Sequence, residues 1–310
     1  MKIKFSQKQL LQWYALNGRD TLPWRNTDNI YHIYLSEIML QQTQVSRVME
    51  EYYPRFLEKF PTIEVLADSP LDEVLTAWSG LGYYRRARNL HKSAQMARSG
   101  LPNLEKELIK LPGIGRYTAS AVCSFGYHQS VPVVDTNIAR VLKRYFALLN
   151  PKDSLVWEYA QCLLNTQNPR SHNLALMDLG SLVCLPKNPT CRECPLFENC
   201  QGKAEPEIYT KVKKKVYESL ELFYGVLIQN NQVALKISDT NMYKDMLVLP
   251  SVDPIEDDFL GEYKHSYTKY RLNVKLYKVN EINEEIVWVD LDKLDEVPIS
   301  SLTKKAIKFF

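Results

Sequence analysis

A helical domain followed by a smaller α/β domain is the architecture this sequence predicts, on three observations. The chain has 310 residues, too many for one ordinary core and enough for about two domains. Up to about residue 200 the apolar residues recur at helical spacing between prolines, whereas beyond 217 short β-rich segments alternate. Between these stretches, Gln201-Gly202-Lys203-Ala204-Glu205-Pro206-Glu207 and then Lys211, Lys213, Lys214 and Lys215 have the texture of a linker, the lysines reading as a solvated face. The expected boundaries are 1–202, a linker at 203–217, and 218–310.

The first helical pattern is Ile30, Tyr34, Ile38, Gln41, Val45, Val48 and Tyr52, at intervals of three and four, which predicts one continuous helix. Further helices are expected over 63–79, 84–98, 103–110, 116–127, 135–149 and 154–165, with Pro54, Pro61, Pro70, Pro102, Pro112 and Pro132 as starts and breaks. In the second part, strands are expected over Leu222–Ile228, Gln232–Ile237, Leu272–Val279 and Ile286–Val289, with Asn230-Asn231 as a hairpin turn.

Hydrophobic residues make up 45% and charged residues 24% of the chain, the profile of a soluble globular protein. The N-terminal MKIKFSQKQLLQWY has no apolar signal core, and no run approaches the ~18 apolar residues of a membrane helix. No membrane partner is expected, and a reducing cytoplasm is the expected location. A net charge of +3 permits nucleic acid without arguing for it.

Four of the six cysteines fall in one run: Cys184, Cys191, Cys194 and Cys200. In a chain with no secretory segment, such a quartet reads as a metal or iron–sulfur site before it reads as disulfides. Residue chemistry alone leaves zinc and an iron–sulfur cluster both open. Cys123 and Cys162, in apolar helical stretches, read as small core residues, and His172 as ordinary surface or turn material.

Leu111-Pro112-Gly113-Ile114-Gly115 sits between two helical patterns. Pro112 ends the first, the glycines permit a tight turn, and the backbone amides that open the next helix near Arg116 suit a phosphate. A plain helix–helix turn is the alternative. Glu37 borders the apolar stripe formed by Ile33, Tyr34, Leu40 and Gln41, where a carboxyl group keeps its proton to higher pH, as a general acid needs. Asp135 follows Val131-Pro132-Val133-Val134 and precedes a helix near Asn137, so it suits an N-cap as well as a catalytic carboxylate. One protonated and one ionised carboxyl group is what cleavage of a glycosidic bond requires.

Taken together, LPGIG, the segment Val134-Asp135-Thr136-Asn137 and the cysteine spacing resemble the helix-hairpin-helix DNA glycosylases that carry a [4Fe-4S] cluster. Leu22–Arg25 (LPWR), Ser36–Val45 (SEIMLQQTQV) and Gly80–Leu90 (GLGYYRRARNL) resemble the MutY-type adenine DNA glycosylases within that group. The match covers about residues 10–202 with specific motifs and the C-terminal part more loosely. It implies a multidomain fold: an all-α helix-hairpin-helix glycosylase domain with a [4Fe-4S] cluster on Cys184, Cys191, Cys194 and Cys200, plus a C-terminal α/β Nudix-like domain. Residues about 30–134 would form the six-helix part, and about 1–29 with 135–202 the cluster-bearing part. The endonuclease III branch has a lysine nucleophile where this chain has Tyr117, so a Schiff-base lyase step lacks its amine.

The resemblance also implies roles. Glu37 would protonate adenine at N7, and Asp135 would stabilise the oxocarbenium-like sugar, with Tyr117 and Asn137 holding Asp135 and the sugar or water in register. Trp24, Arg25, Leu40 and Asp178 would form the adenine pocket, although Asp178 stands where the family usually has a glutamate and Thr136 replaces the glycine of VDGN. Gln42 and Tyr83 would fill the duplex where the adenine leaves the stack. Leu111, Gly113, Gly115 and Lys187 would meet DNA, with Arg85, Arg86 and Arg88 adding salt-sensitive duplex contacts. In the C-terminal domain, the family's Phe-Ser-His triplet for 8-oxoguanine corresponds to Tyr267, Thr268 and Lys269. The Nudix hydrolase signature is absent, and Leu247-Val248-Leu249-Pro250 lacks the tryptophan often found there. The expected protein is thus a monofunctional, monomeric base-excision repair enzyme that removes adenine mispaired with 8-oxoguanine or guanine in double-stranded DNA, nucleoid-associated if bacterial. Its rivals are a thymine glycosylase or endonuclease III-like lyase on the same fold, and a non-enzymatic iron–sulfur DNA sensor.

Overall fold

A computed structural model describes residues 2–210, 216–254 and 258–310, so the lysine run at 211–215 lies outside the described residues. Twelve of its helices precede the strands: α1 Lys2–Asn17, α2 Ile30–Met39, α3 Val45–Arg47, α4 Tyr53–Lys59, α5 Ile63–Asp68, α6 Leu71–Ala77, α7 Arg85–Met96, α8 Glu105–Leu108, α9 Arg116–Ala121, α10 Thr136–Tyr145, α11 Asp153–Leu163 and α12 Pro169–Leu182. The strands β1 Glu218–Val226, β2 Ile228–Gln229, β3 Gln232–Ile237, β4 Leu247–Val248, β5 Phe259–Tyr267, β6 Tyr270–Lys278 and β7 Val287–Asp290 follow, then α13 Ser301–Ala306. No described helix is long and apolar enough to cross a membrane.

The single helix expected over 30–52 is interrupted. α2 ends at Met39, and the chain passes through Gln42 with φ of 58° before α3 begins. A bulky residue in that left-handed region cannot continue a helix, and the interruption turns Leu40 and Gln42 out of the apolar stripe to which periodicity assigned their helix. The pattern over 63–79 likewise breaks, at Pro70, into α5 and α6. Neither α1 nor α12 was expected from periodicity, although Pro169 occupies the first turn of α12, a position proline favours.

The described residues divide into two compact units. The first holds the chain to Leu57, Thr62–Glu64, and Lys92 through the cysteine segment. Its core gathers Leu10 of α1, Ile33 of α2, Ile138, Val141 and Leu142 of α10, Leu163 of α11 and Leu174, Ala175 and Leu179 of α12, with Cys184, Cys194 and Cys200 packed against it. Gly126, which ends a π-turn continuing α9, has no room for a side chain: an added Cβ would sit 2.9 Å from Ile30 Cδ1. Gly180 of α12 is tighter still, because a Cβ there would lie 2.8 Å from Asn137 Cβ and 3.1 Å from its backbone.

The second unit holds Glu58–Pro61, Val65–His91 and the residues after the linker. One sheet has the order β1-β6-β5, with β1 parallel to β6 and β5 antiparallel to it. Leu272, Val274 and Leu276 alternate inward along β6. The turn of the β5–β6 hairpin is Thr268-Lys269, Thr268 taking φ of 51°. The second sheet runs β2-β3-β4 with β7 also on β3. The expected turn at Asn230-Asn231 joins β2 and β3 with both residues left-handed, φ 49° and 63°, as a type I′ turn requires. β5 carries Tyr267 and was not foreseen, its residues being mostly polar or exposed.

Candidate active site

The first unit contains a cavity of about 250 Å³ whose wall includes Trp24, Arg25, Ser36, Glu37, Leu40, Tyr117, Asp135, Asn137 and Met177. Ninety-eight positions separate Glu37 from Asp135 in the sequence, yet they open onto the same space.

Glu37 is buried near the end of α2. Burial pushes its carboxyl group up to about 7, and the nearby Asp135 charge adds to the rise, while a hydrogen bond from Tyr117 and the charge of Arg25 oppose it. The Tyr117 hydroxyl donates to Glu37 Oε2 at 2.7 Å. The resemblance had assigned Tyr117 to Asp135; its hydroxyl goes to Glu37. The buried phenol itself stays protonated, its pKa raised by burial and by Glu37.

Asp135 caps α10, accepting from Ile138 N at 2.6 Å and Asn137 Nδ2 at 3.0 Å. Burial raises its pKa, and the Ile138 and Asn137 donors work against that rise. The start of a helix also favours negative charge. The two readings of Asp135, cap and cavity carboxylate, are therefore compatible: capping is what fixes its orientation. Arg140 donates to Asn137 Oδ1, to Gly180 O and to Cys184 O at 2.9, 2.6 and 2.7 Å, which leaves the Asn137 amide nitrogen turned to Asp135.

Trp24 lies in a short turn over Pro23–Arg25, packed edge-on against Tyr53. Asp178 does not line the cavity. It is fully buried behind it, bridging Arg25 through two bonds of 2.6 and 2.8 Å and Arg19 through 2.7 and 3.0 Å. Burial disfavours its charge, but the Arg25 and Arg19 bonds and charges outweigh that and hold its pKa below the usual carboxylate value. Arg170 donates to the carbonyls of Arg25 and Thr27, fastening the same turn. Arg19, Arg170, Ser36, Met177 and Ser181 line the cavity without having been singled out in the sequence. α12 supplies the last two, and its Leu-rich spacing after Pro169 was the missed signal.

A groove of about 1030 Å³ leads away from this cavity, lined by Gln42, Gly113, Gly115, Tyr117, Asp135, Asn137, Lys143 and Trp157. Gly113 takes φ of 76°, and Gly115 opens α9. An added Cβ at Gly115 would meet nothing of the protein within 4 Å, so neither its packing nor its φ of −92° demands glycine. Leu111 is buried, which leaves only its main chain to face a ligand. Lys187 is exposed in the loop between Cys184 and Cys191.

Tyr83, Tyr267, Thr268 and Lys269 belong to the second unit. Tyr83 is 39% exposed with φ of 51°, and the Arg86 guanidinium lies 5.3 Å from its ring centre. Arg86 is itself buried and Arg88 donates to Lys244 O at 2.6 Å, so of the three arginines only Arg85 is exposed. Lys269 pairs with Glu218 at 2.6 Å.

The four clustered cysteines line one cavity, with Val141, Val183, Leu196 and Phe197 among its apolar walls. All four are free thiols. Burial raises Cys194 to about 12 and Cys200 to about 11, and the neighbouring sulfurs add to both. Among the described residues no three Cys, His, Asp or Glu side chains gather to hold one metal ion. A single zinc draws its four sulfurs within about 2.3 Å of one point, whereas a cubane cluster takes one thiolate on each of four separate irons. Cys123 is buried as expected, but Cys162 is exposed on α11. His172, expected at the surface, is fully buried on α12 with neither ring nitrogen hydrogen-bonded among the described residues, and burial pushes its imidazole down to about 4.

Residues 35–165 match the family model for the HhH-GPD superfamily base excision DNA repair protein. The chain is 38% identical over 303 residues to an adenine DNA glycosylase of Buchnera aphidicola subsp. Baizongia pistaciae, covering 92% of this chain and 86% of that protein. This chain belongs to the adenine DNA glycosylase family. A human family member is 40% identical over 216 residues, 64% of this chain and 39% of that one. Among solved structures, a thermostable thymine-DNA glycosylase superposes with a TM-score of 0.62 at 29% identity, over 66% of this chain and 97% of the other. A non-covalent endonuclease III–DNA complex, at TM-score 0.57 and 23% identity over 66% of this chain and 97% of the other, shares the helical fold. Family membership makes the chain a glycosylase enzyme with the helix-hairpin-helix glycosylase fold.

Proposed function

We propose that this enzyme binds double-stranded DNA and hydrolyses the N-glycosidic bond of adenine mispaired with 8-oxoguanine or guanine, without lyase activity. One observation carries the reading: a buried Glu37, its carboxyl pushed up to about 7 by burial, shares its cavity with an Asp135 supplied with hydrogen-bond donors. At neutral pH the first carries the proton that a departing purine needs at N7. The second, aimed by Ile138 and Asn137, meets the positive charge that develops on the sugar. Trp24, Arg25 and Leu40 form the base pocket, with Asp178 holding Arg25 in place from behind. Gly113, Gly115 and Gln42 take the duplex, Gly115 leaving its open face to a phosphate. Flipping the base costs a few kcal/mol of unstacking, less at a mispair.

Cys184, Cys191, Cys194 and Cys200, whose free sulfurs line one apolar cavity, would hold the [4Fe-4S] cluster that the family resemblance implies. When bound it shapes the loop from Leu185 to Thr190 and supplies no step of base removal. Residues 218–310 are read as a Nudix-like domain in which Tyr267 and Thr268 sense the oxidised base; Lys269, engaged by Glu218, is the weaker member of that set.

Single-turnover excision of adenine opposite 8-oxoguanine, guanine and thymine tests the substrate. Faster removal opposite 8-oxoguanine is expected, and equal rates against all three would discard the sensing role of the hairpin. Glu37→Gln should slow excision roughly 10²–10⁴-fold; an unchanged rate refutes the proton donor. The thymine-glycosylase structural relative favours a second reading, which thymine release from a guanine·thymine pair would reveal. Borohydride trapping separates the lyase alternative, since Tyr117 offers no amine.

A further inference from the structure

The loop between β3 and β4 has no part in the reading above, yet it is tightly built. Tyr243 and Asp245 hold φ of 58° and 60°, a conformation that non-glycine residues keep only where their surroundings over-determine it. Ser238 Oγ and Thr240 Oγ1 both donate to Met242 O, at 2.8 and 3.0 Å, and Asp245 N donates to Ser238 O at 2.8 Å. These bonds deliver the Tyr243 side chain into the unit's interior, where it is 4% exposed.

There the Tyr243 hydroxyl pairs with His265 Nε2 at 2.7 Å and Ser301 Oγ at 3.1 Å. Its ring centre lies 4.7 Å from that of Tyr267 and 6.1 Å from that of Tyr84. Tyr267 in turn donates its hydroxyl to Asn241 O at 3.3 Å. From the other flank Arg88 donates to Lys244 O, and its Nε stands 3.6 Å from Asp245 Oδ2. One loop is therefore gripped by the strand that carries Tyr267 and by the segment that carries Tyr83.

We propose that Tyr243 is a positioning residue for base discrimination: with its hydroxyl held by His265 and Ser301, its ring fixes that of Tyr267 by direct contact, so that partner-base selectivity depends on a side chain that never reaches DNA. The physical basis is rigidity. An aromatic side chain with few torsions and two hydrogen-bond partners leaves Tyr267 one orientation. An aliphatic residue in its place leaves His265 without its hydroxyl partner and Tyr267 without the ring it packs against.

The proposal rests on the reading of the hairpin tip as the sensor. Its test measures single-turnover adenine excision opposite 8-oxoguanine and opposite guanine for the wild type, Tyr243→Phe, Tyr243→Leu, Tyr267→Ala and the Tyr243→Leu/Tyr267→Ala pair. Tyr243→Leu should lower the ratio of the two rates about tenfold, the size of one aromatic pair plus one hydrogen bond. The guanine-opposed rate should stay within about twofold. The isosteric Tyr243→Phe, which keeps the ring and the fold, should lower the ratio about threefold. Once Tyr267 is alanine, Tyr243→Leu should change the ratio no further. Variants that keep the wild-type ratio, lose both rates in parallel, or add fully to Tyr267→Ala overturn the proposal. A wild type that does not discriminate overturns the sensor reading; a ratio lost in Tyr267→Ala but kept in both Tyr243 variants overturns the Tyr243 role alone.

Discussion

Replacing Tyr117 by phenylalanine removes one hydroxyl and should move the pH at which excision fails. That hydroxyl donates to Glu37 Oε2 at 2.7 Å and is the foremost influence holding the Glu37 pKa down against burial. A hydrogen bond to a charged group contributes about 1.5–3 kcal/mol, which corresponds to about one to two pKa units at 1.36 kcal/mol each. A general acid works while protonated, so activity is present below its pKa and lost as pH rises through it. In the wild type this limb should fall near pH 7, the value to which burial lifts Glu37. Without the phenol the ionised form loses its donor, the pKa climbs, and the limb should move to about pH 8–9. The assay is sub-saturating single-turnover release of adenine between pH 5.5 and 9.5, which reports the free enzyme's groups. A limb that stays at 7, or moves towards acid, refutes the assignment of Glu37 as the acid and of Tyr117 as its hydrogen-bond donor.

Asp178→Asn should destabilise the first unit by about 3–5 kcal/mol in urea unfolding, because Arg25 and Arg19 would lose their buried counter-charge. His172 should make the protein acid-sensitive. Its imidazole is depressed to about 4 in the fold against about 6.5 unfolded, so stability is complete above 6.5 and lost as pH falls towards 4. Urea midpoints at pH 7.5 and 4.5 should show a loss about 2–3 kcal/mol smaller in His172→Leu. Arg85→Ala should weaken duplex binding and reduce the salt slope by about one, whereas Arg86→Ala should act on thermal stability instead, since Arg86 is buried beside Trp78 and Tyr83. Iron and acid-labile sulfide should each approach about four per chain in purified protein and fall sharply in Cys194→Ala.

What the sequence disclosed followed from local signals. Glycine and proline marked the hairpin at 111–115, thiol spacing marked the cysteine site, and the apolar stripe around Glu37 foretold a buried acid. Tertiary effects were out of reach. Nothing in the spacing of α2 announces that Gln42 will turn left-handed and end the stripe. Asp178 has the residue type of a pocket acid, yet two arginines distant in sequence, Arg19 and Arg25, draw it out of the wall. His172 carries a polar label while standing fully buried, because it belongs to the Leu-rich helix after Pro169 that went unread, α12, where Leu174, Leu176 and Leu179 are buried too. β5 was hidden for the opposite reason: a hairpin with one face wet has few apolar residues to declare it.

Gly180 carries no functional group, yet its missing side chain is what lets α12 and α10 touch. A single methyl placed there would be driven against Asn137 and its peptide, and the displacement would pass two positions along the chain into the carboxylate at 135. Damage to repair chemistry in this enzyme can therefore begin at a residue that meets neither base, sugar nor phosphate. A screen restricted to reacting groups would overlook it.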